Sequence, residues 1–154
     1  MFVRNWIVSG AVLTAVLAAG AQEKKIARKD LPAAVAATVD RETKGATVKG
    51  FSSEREHGKT TYEAETVVNG KTRDIEVAAD GTLTEVEQEV EMASLPAKAQ
   101  QALSARAAGG RITKVESLTK GGKLVAYEAA VVKSGKRSEF QVGPDGSALA
   151  HDVD

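Results

Sequence analysis

One unit is written twice in this chain. Leu31-Pro32-Ala33 recurs as Leu95-Pro96-Ala97 at an offset of 64, and at that offset Gly45 meets Gly109, Val48 meets Ile112, and Phe51 meets Val115. Gly58-Lys59 likewise meets Gly122-Lys123, after which one residue is inserted. At the new offset of 65, Tyr62-Glu63-Ala64 matches Tyr127-Glu128-Ala129, Val67 matches Val132, and Gly70-Lys71 matches Gly135-Lys136. Ile75-x-Val77 then matches Phe140-x-Val142, and Asp80-Gly81 matches Asp145-Gly146. A repeat of this period is an architectural statement, and two copies are too few to stack as a solenoid. They predict a pseudo-symmetric pair.

Each copy opens with a predicted helix. Asp30 and Ser94 are suitable N-cap residues, and each precedes a Leu-Pro step that tolerates proline in a first turn. Leu31, Val35 and Val39 share one helical stripe, as do Leu95, Ala99 and Leu103. Gly45 and the pair Gly109-Gly110 supply the stops. Strands follow. His57-Gly58, Asn69-Gly70 and Asp80-Gly81 punctuate the first copy; Gly121-Gly122, Ser134-Gly135 and Asp145-Gly146 punctuate the second. Such pairs between alternating segments signal hairpins, because type I′ turns need positive φ at both centres. Three turns give four strands per copy, with a bulge expected at Gly50.

The turns fix the register. Two-residue loops set Ala64 opposite Ile75, Tyr62 opposite Val77, Ile75 opposite Val86 and Val77 opposite Thr84. In the second copy Tyr127 faces Val142 and Ala129 faces Phe140. The apolar residues then share one face, which a one-residue slip would scatter. The expected fold is α+β: two tandem repeats, each one helix packed on a four-stranded antiparallel meander sheet.

The order of motifs is Leu-Pro helix, Gly-Lys turn, Tyr-Glu-Ala, Gly-Lys, apolar-x-Val, Asp-Gly, and it occurs twice. It resembles the PepSY-like family, also described as β-lactamase-inhibitor-like. The likeness spans residues 30–92 as one copy and 93–154 as the other. It implies a secreted or periplasmic, non-catalytic domain of helix and antiparallel strands, of a family whose members bind or inhibit other proteins.

Residues 1–21 read as a secretory signal peptide. Arg4 precedes the apolar run Ile7 to Ala19, and Ala19-Gly20-Ala21 is a small-x-small cleavage site, which places the cut before Gln22. The run falls short of the roughly 20 residues that span a bilayer, so no membrane span is expected after cleavage. Residues 22–29, with Lys24, Lys25, Arg28 and Lys29, read as a basic, solvated N-terminal tail.

Chemistry is sparse. The 154 residues include no cysteine, which excludes disulfides, thiolate catalysis and Cys-ligated zinc. The formal net charge of zero argues against nucleic acid as a partner. His57 and His151 lack ligand partners at defined spacing, so neither metal nor cofactor is expected. No nucleophile elbow or phosphate loop is present, so no enzyme is expected.

One constellation stands out. In the register above, Glu63, Glu76 and Glu85 lie side by side across three strands, and Glu65, Asp74 and Glu87 form the next row. The equivalent rows of the second copy are Glu128, Gln141, Ala150 and Ala130, Glu139, Asp152, which are far less acidic. Directly opposite carboxylates have Cβ atoms about 5 Å apart and cost about 0.2–1 kcal/mol per pair. Six of them on the sheet face away from the helix predict a cationic ligand. A basic patch on an envelope or secreted protein is the first expectation and calcium the second. The expected function is therefore a secreted or periplasmic binding module, in the manner of an inhibitor. The alternative is an envelope cation or small-ligand sensor that uses the same face.

Overall fold

A computed structural model of the protein describes residues 22–56 and 58–149. The expected signal peptide, His57, and Ala150, His151 and Asp152 at the other end lie outside the described residues. Among the described residues, eight strands form one antiparallel sheet in sequence order: β1 (Gln22–Ile26), β2 (Thr47–Glu56), β3 (Lys59–Val68), β4 (Lys71–Ala78), β5 (Leu83–Glu89), β6 (Arg111–Lys120), β7 (Lys123–Lys133) and β8 (Lys136–Val142). Helix α1 (Ala33–Glu42) connects β1 to β2, and α2 (Ala97–Ala107) connects β5 to β6. The expected helix-on-meander arrangement is present, but the sheet runs on through a β5–β6 pairing instead of stopping at four strands.

Both helices cover the same face. Val35 and Val39 of α1, with Leu31 just before it, pack on Ala64, Ile75 and Val77. Ala99, Leu103 and Ala107 of α2, with Leu95, pack on Val115, Tyr127, Ala129, Val131, Phe140 and Val142. These are the stripes that the helical spacing picked out. Fully burying a Val or Leu side chain contributes about 1.5–3 kcal/mol. Such residues, rather than intrinsic helix propensity, hold the two short helices in place.

The helix starts differ from expectation. Asp30 and Ser94 do not cap α1 and α2; each ends a short 3-10 turn, and Pro32 and Pro96 occupy the N-cap positions. The cause is the residue before proline. Leu31 and Leu95 are extended, with ψ of 136° and 156°, because proline's ring excludes the helical region from its predecessor.

Residues 22–29 are not a free tail. Gln22–Ile26 pairs with β2, Lys24 opposite Ser53 and Ile26 opposite Phe51. Lysines mark exposed strand edges as readily as solvated tails, since they discourage further pairing. Ile26 anchors the strand by packing against the first core cluster.

Register follows the turns. Asn69 and Gly70, at φ 52° and 81°, make the expected two-residue turn, and Ala64 faces Ile75, Tyr62 faces Val77, and Ile75 faces Val86. Tyr127 faces Val142 and Ala129 faces Phe140. Near Gly50 the bulge is present, with the register shifting between Val48 and Gly50. The Asp80-Gly81 turn is the exception. Only Gly81 has positive φ there, and the Ala78 N–H donates to the Thr82 carbonyl at 2.8 Å. The loop is thus three residues, a type I turn closed by a left-handed glycine. The extra residue places Val77 opposite Leu83 rather than Thr84.

Candidate functional site

The face away from the helices carries the acidic rows. Glu63 faces Glu76, which faces Glu85; Glu65 faces Asp74, which faces Glu87. All six residues singled out from the sequence are brought together. The β5–β6 pairing extends each row. Glu85 stands opposite Lys120, Glu87 opposite Leu118, and Glu89 opposite Glu116. Glu116 in turn faces Glu128, which faces Gln141. On the second copy's rows, Ala130 faces Glu139.

Glu89, Glu116, Lys114, Lys120 and Leu118 escaped the sequence reading. Glu89 continues the alternation of Glu85 and Glu87 along β5, and the other four join the face only through a strand pair whose members are separated by α2 and its connections. No turn motif reports such a pairing. The alternation within Arg111–Lys120, which sends Val115 to the core and its neighbours outward, was the available signal.

The carboxylates are not uniformly solvated. Glu85, Glu87 and Glu116 are 3%, 6% and 4% exposed, whereas the outer members of the rows are partly exposed. Most have a partner. The Lys120 ammonium sits 3.1 Å from Glu85, and Lys114 sits 2.8 Å from Glu116. Asp74 accepts from the Thr66 N–H at 3.0 Å, Glu76 from the Thr84 hydroxyl at 2.8 Å, and Glu63 from the Ser52 hydroxyl at 3.3 Å. Glu89 accepts from the Thr72 N–H at 3.0 Å, and Glu128 from the Gln141 amide at 3.0 Å.

Crowding pushes these acids toward their neutral forms. Burial, and then the charges of Asp74, Glu65 and Glu23, raise Glu63 to about 8. Burial raises Asp74 to about 6, against the Thr66 hydrogen bond. It raises Glu128 to about 7, against the Gln141 hydrogen bond. Glu87 goes furthest, to about 10, through burial and then the carboxylates of Glu116, Glu85, Glu128 and Glu63. The face holds more negative groups than its lysines neutralise. Among the described residues, no group of three or more acids or histidines is arranged to hold a metal ion.

No family model and no curated protein matches the chain. Solved structures do. A protein from Bacteroides eggerthii, described as a candidate periplasmic protein, superposes with a TM-score of 0.61 at 17% identity, over 77% of this chain and 85% of that one. A DUF2874 family protein from Bacteroides ovatus gives 0.59 at 18% identity, over 77% and 84%. A BLIP-like protein from Bacteroides fragilis gives 0.56 at 17% identity, over 80% and 92%. The fold is BLIP-like. At such identities the likeness concerns the backbone of this BLIP-like sheet alone. Among the described residues, no helix is long and apolar enough to cross a membrane.

Proposed function

We propose that the protein is a non-catalytic periplasmic or secreted binding module that captures a basic patch of another envelope or secreted protein on its acidic sheet face. The observation that carries this reading is the charge balance of the face. Nine carboxylates from Glu63 to Glu128 lie across β3 to β7, and two lysines, Lys114 and Lys120, pair with two of them. A partner's Lys or Arg side chains relieve that excess, and complementary charge speeds encounter and excludes wrong partners. The likeness to BLIP-like and periplasm-assigned structures supports the binding role and the compartment. Glu63, Glu65, Asp74, Glu76, Glu85 and Glu87 are the binding residues in this reading.

The same proposal covers the chain's organisation. Residues 1–21 are a cleaved signal peptide, and 30–92 and 93–154 are PepSY-like copies of one unit. Each copy sets an Asp-Gly turn against its own helix, Gly81 against Ala34 and Gly146 against Lys98, at equivalent positions. Intact-mass analysis of exported protein is expected to show an N-terminus at Gln22; a retained Met1 contradicts the cleavage.

The test is a salt-graded pull-down of envelope proteins with wild type and with the double variant Asp74→Lys, Glu76→Lys. Wild type is expected to retain a basic protein at low salt and release it at high salt. The folded double variant is expected to retain none. Equal retention by both overturns the reading. Wild type that binds no protein but melts higher with calcium, when the double variant does not, points instead to the cation sensor.

A further inference from the structure

Three turns among the described residues place an Asn or Asp directly before a glycine: Asn69-Gly70, Asp80-Gly81 and Asp145-Gly146. Such a step can close on itself. The glycine nitrogen attacks the preceding side-chain carbonyl carbon to form a five-membered imide, and glycine has no Cβ to shield that nitrogen. The fold ties two of the three steps down. The Gly81 N–H donates to the Ala78 carbonyl at 2.8 Å, and the Asp80 carboxylate accepts from the Thr82 N–H at 2.9 Å. A Cβ on Gly81 would lie 2.8 Å from the Ala34 carbonyl oxygen, so this turn is pinned against α1. Asp145-Gly146 repeats the pattern. Gly146 donates to the Gly143 carbonyl at 2.8 Å, Asp145 accepts from the Ser147 N–H at 3.0 Å, and Gly146 lies against Lys98 of α2. Hydrogen bonds from Thr82 and Ser147 also hold the two carboxyls below their usual range. An ionised carboxylate is a poor target for a nucleophile. Asn69-Gly70 has none of these restraints. Both residues are exposed, and among the described residues no hydrogen bond engages the Asn69 amide or the Gly70 N–H. Val68 and Lys71 close the hairpin around them, and a Cβ on Gly70 would meet nothing within 4 Å. The Asn69 side chain is a neutral amide, whose nitrogen can depart as ammonia.

We propose that the Asn69-Gly70 turn is a site of spontaneous modification, at which Asn69 converts to aspartate and isoaspartate with water as the co-reactant. The Gly70 nitrogen bonds to Asn69 Cγ and gives up its proton, the Cγ–Nδ2 bond breaks, and ammonia leaves. Water then opens the imide. Attack at Cγ restores the original main chain with an ordinary aspartate. Attack at the main-chain carbonyl carbon routes the chain through the side chain as isoaspartate. Either product adds a carboxylate beside Lys71. Isoaspartate also adds one methylene to the main chain of a two-residue loop. That loop sets the β3–β4 pairings, Glu63 opposite Glu76 and Glu65 opposite Asp74 among them. The modification therefore acts on the far face through its hairpin, whatever that face binds. Asn69 is the only asparagine after residue 21, so no second asparagine competes for the assignment.

The experiment stores the exported protein in mildly alkaline buffer, folded and in urea, and maps its peptides at intervals. Isoaspartate is read with an isoaspartate-specific methyltransferase and radiolabelled S-adenosylmethionine. In the folded protein, label is expected to accumulate in the peptide that holds residue 69, with its amide replaced by a carboxyl. The peptides that hold Asp80 and Asp145 are expected to stay unlabelled. In urea, where the turn hydrogen bonds and the helix contacts are gone, all three peptides are expected to take label. Asn69→Gln is expected to lose the label, because its longer side chain would have to close a six-membered ring. Gly70→Ala puts a methyl group into open space but beside the attacking nitrogen, and is expected to slow the labelling. The proposal is overturned if the folded protein takes no label at residue 69. It is also overturned if folded Asp80 or Asp145 is labelled as fast as residue 69, or if Gly70→Ala is labelled as fast as wild type. Should Asn69→Gln fail to fold, the peptide maps of folded and urea-treated wild type decide alone.

Discussion

Glu63 on β3 stands directly opposite Glu76 on β4, yet the two carboxylates engage different strands, Glu63 accepting from the Ser52 hydroxyl on β2 and Glu76 from the Thr84 hydroxyl on β5. Burial and the neighbouring charges raise Glu63 to about 8, well above its unfolded value near 4.5. Between those values the folded state binds more protons than the unfolded state, so stability falls as pH rises. Glu128, raised to about 7, acts in the same direction over the lower part of that window. The melting temperature is therefore expected to be highest near pH 4.5 and to decline toward pH 8. Glu63→Gln is expected to flatten the decline. A wild-type melting temperature that rises across this window contradicts the crowding.

Two ion pairs in this protein differ in worth. Lys120 meets a buried Glu85, whereas Lys71 meets Glu91, whose side chain is 75% exposed. Removing the partner of a buried charge costs about 3–5 kcal/mol, and less here because Lys120 itself is partly exposed. Removing one half of an exposed pair costs about 0–1 kcal/mol. Denaturant melts at pH 7 are expected to rank Lys120→Ala well below Lys71→Ala, and equal midpoints count against a buried Glu85.

Two turn glycines with similar φ sit in different surroundings. Gly70, at φ 81°, has open space where a Cβ would be, while at Gly146, also φ 81°, a Cβ lands 2.5 Å from the Lys98 carbonyl oxygen on α2. Gly70→Ala pays only the left-handed strain, about 1–2 kcal/mol. Gly146→Ala adds a backbone clash and is expected to unfold at clearly lower denaturant. Similar midpoints for the two variants would place the turn away from the helix.

The paired tyrosines are not equally buried. Tyr127 is 9% exposed and belongs to the second core cluster, whereas Tyr62 is only partly buried against the first. Truncating a buried aromatic costs about 3–5 kcal/mol. Tyr127→Ala is expected in that range, and Tyr62→Ala below it. Equal costs for the two variants go against this ranking.

Much of this was legible in the sequence because the information is local. A two-residue Asn69-Gly70 turn determines every pairing of β3 with β4, and through it the acidic rows. What the sequence hid depends on longer range or on one added residue. Ala79-Asp80-Gly81 makes a three-residue loop, so the pairing slips between Glu76 and Val77 while Glu76 keeps its partner Glu85. Lys24 and Lys25 carry the charge of a tail, and only Ile26 hints at a strand. The burial of Glu85 and Glu87 follows from β6 lying beside β5, across a helix and its connections. The Lys120 and Leu118 neighbours, and with them the contrast between Glu85 and Glu87, could not be read from either copy alone.

Both helices lie on one side of the sheet, and that arrangement divides the strands by parity. Along β3 to β5, one set of alternate residues meets α1, and the other set never touches it. Substitutions in the first set disturb the cores; substitutions in the second leave the cores alone and act on the charge and hydrogen bonding of the far face, with the buried Glu85 and Glu87 its least tolerant positions. A saturation survey is therefore expected to show tolerance alternating with a period of two. A lineage carrying this scaffold can exchange one partner for another by drift at the partly exposed positions of that second set, such as Glu63, Glu65, Asp74 and Glu76, with its cores left intact.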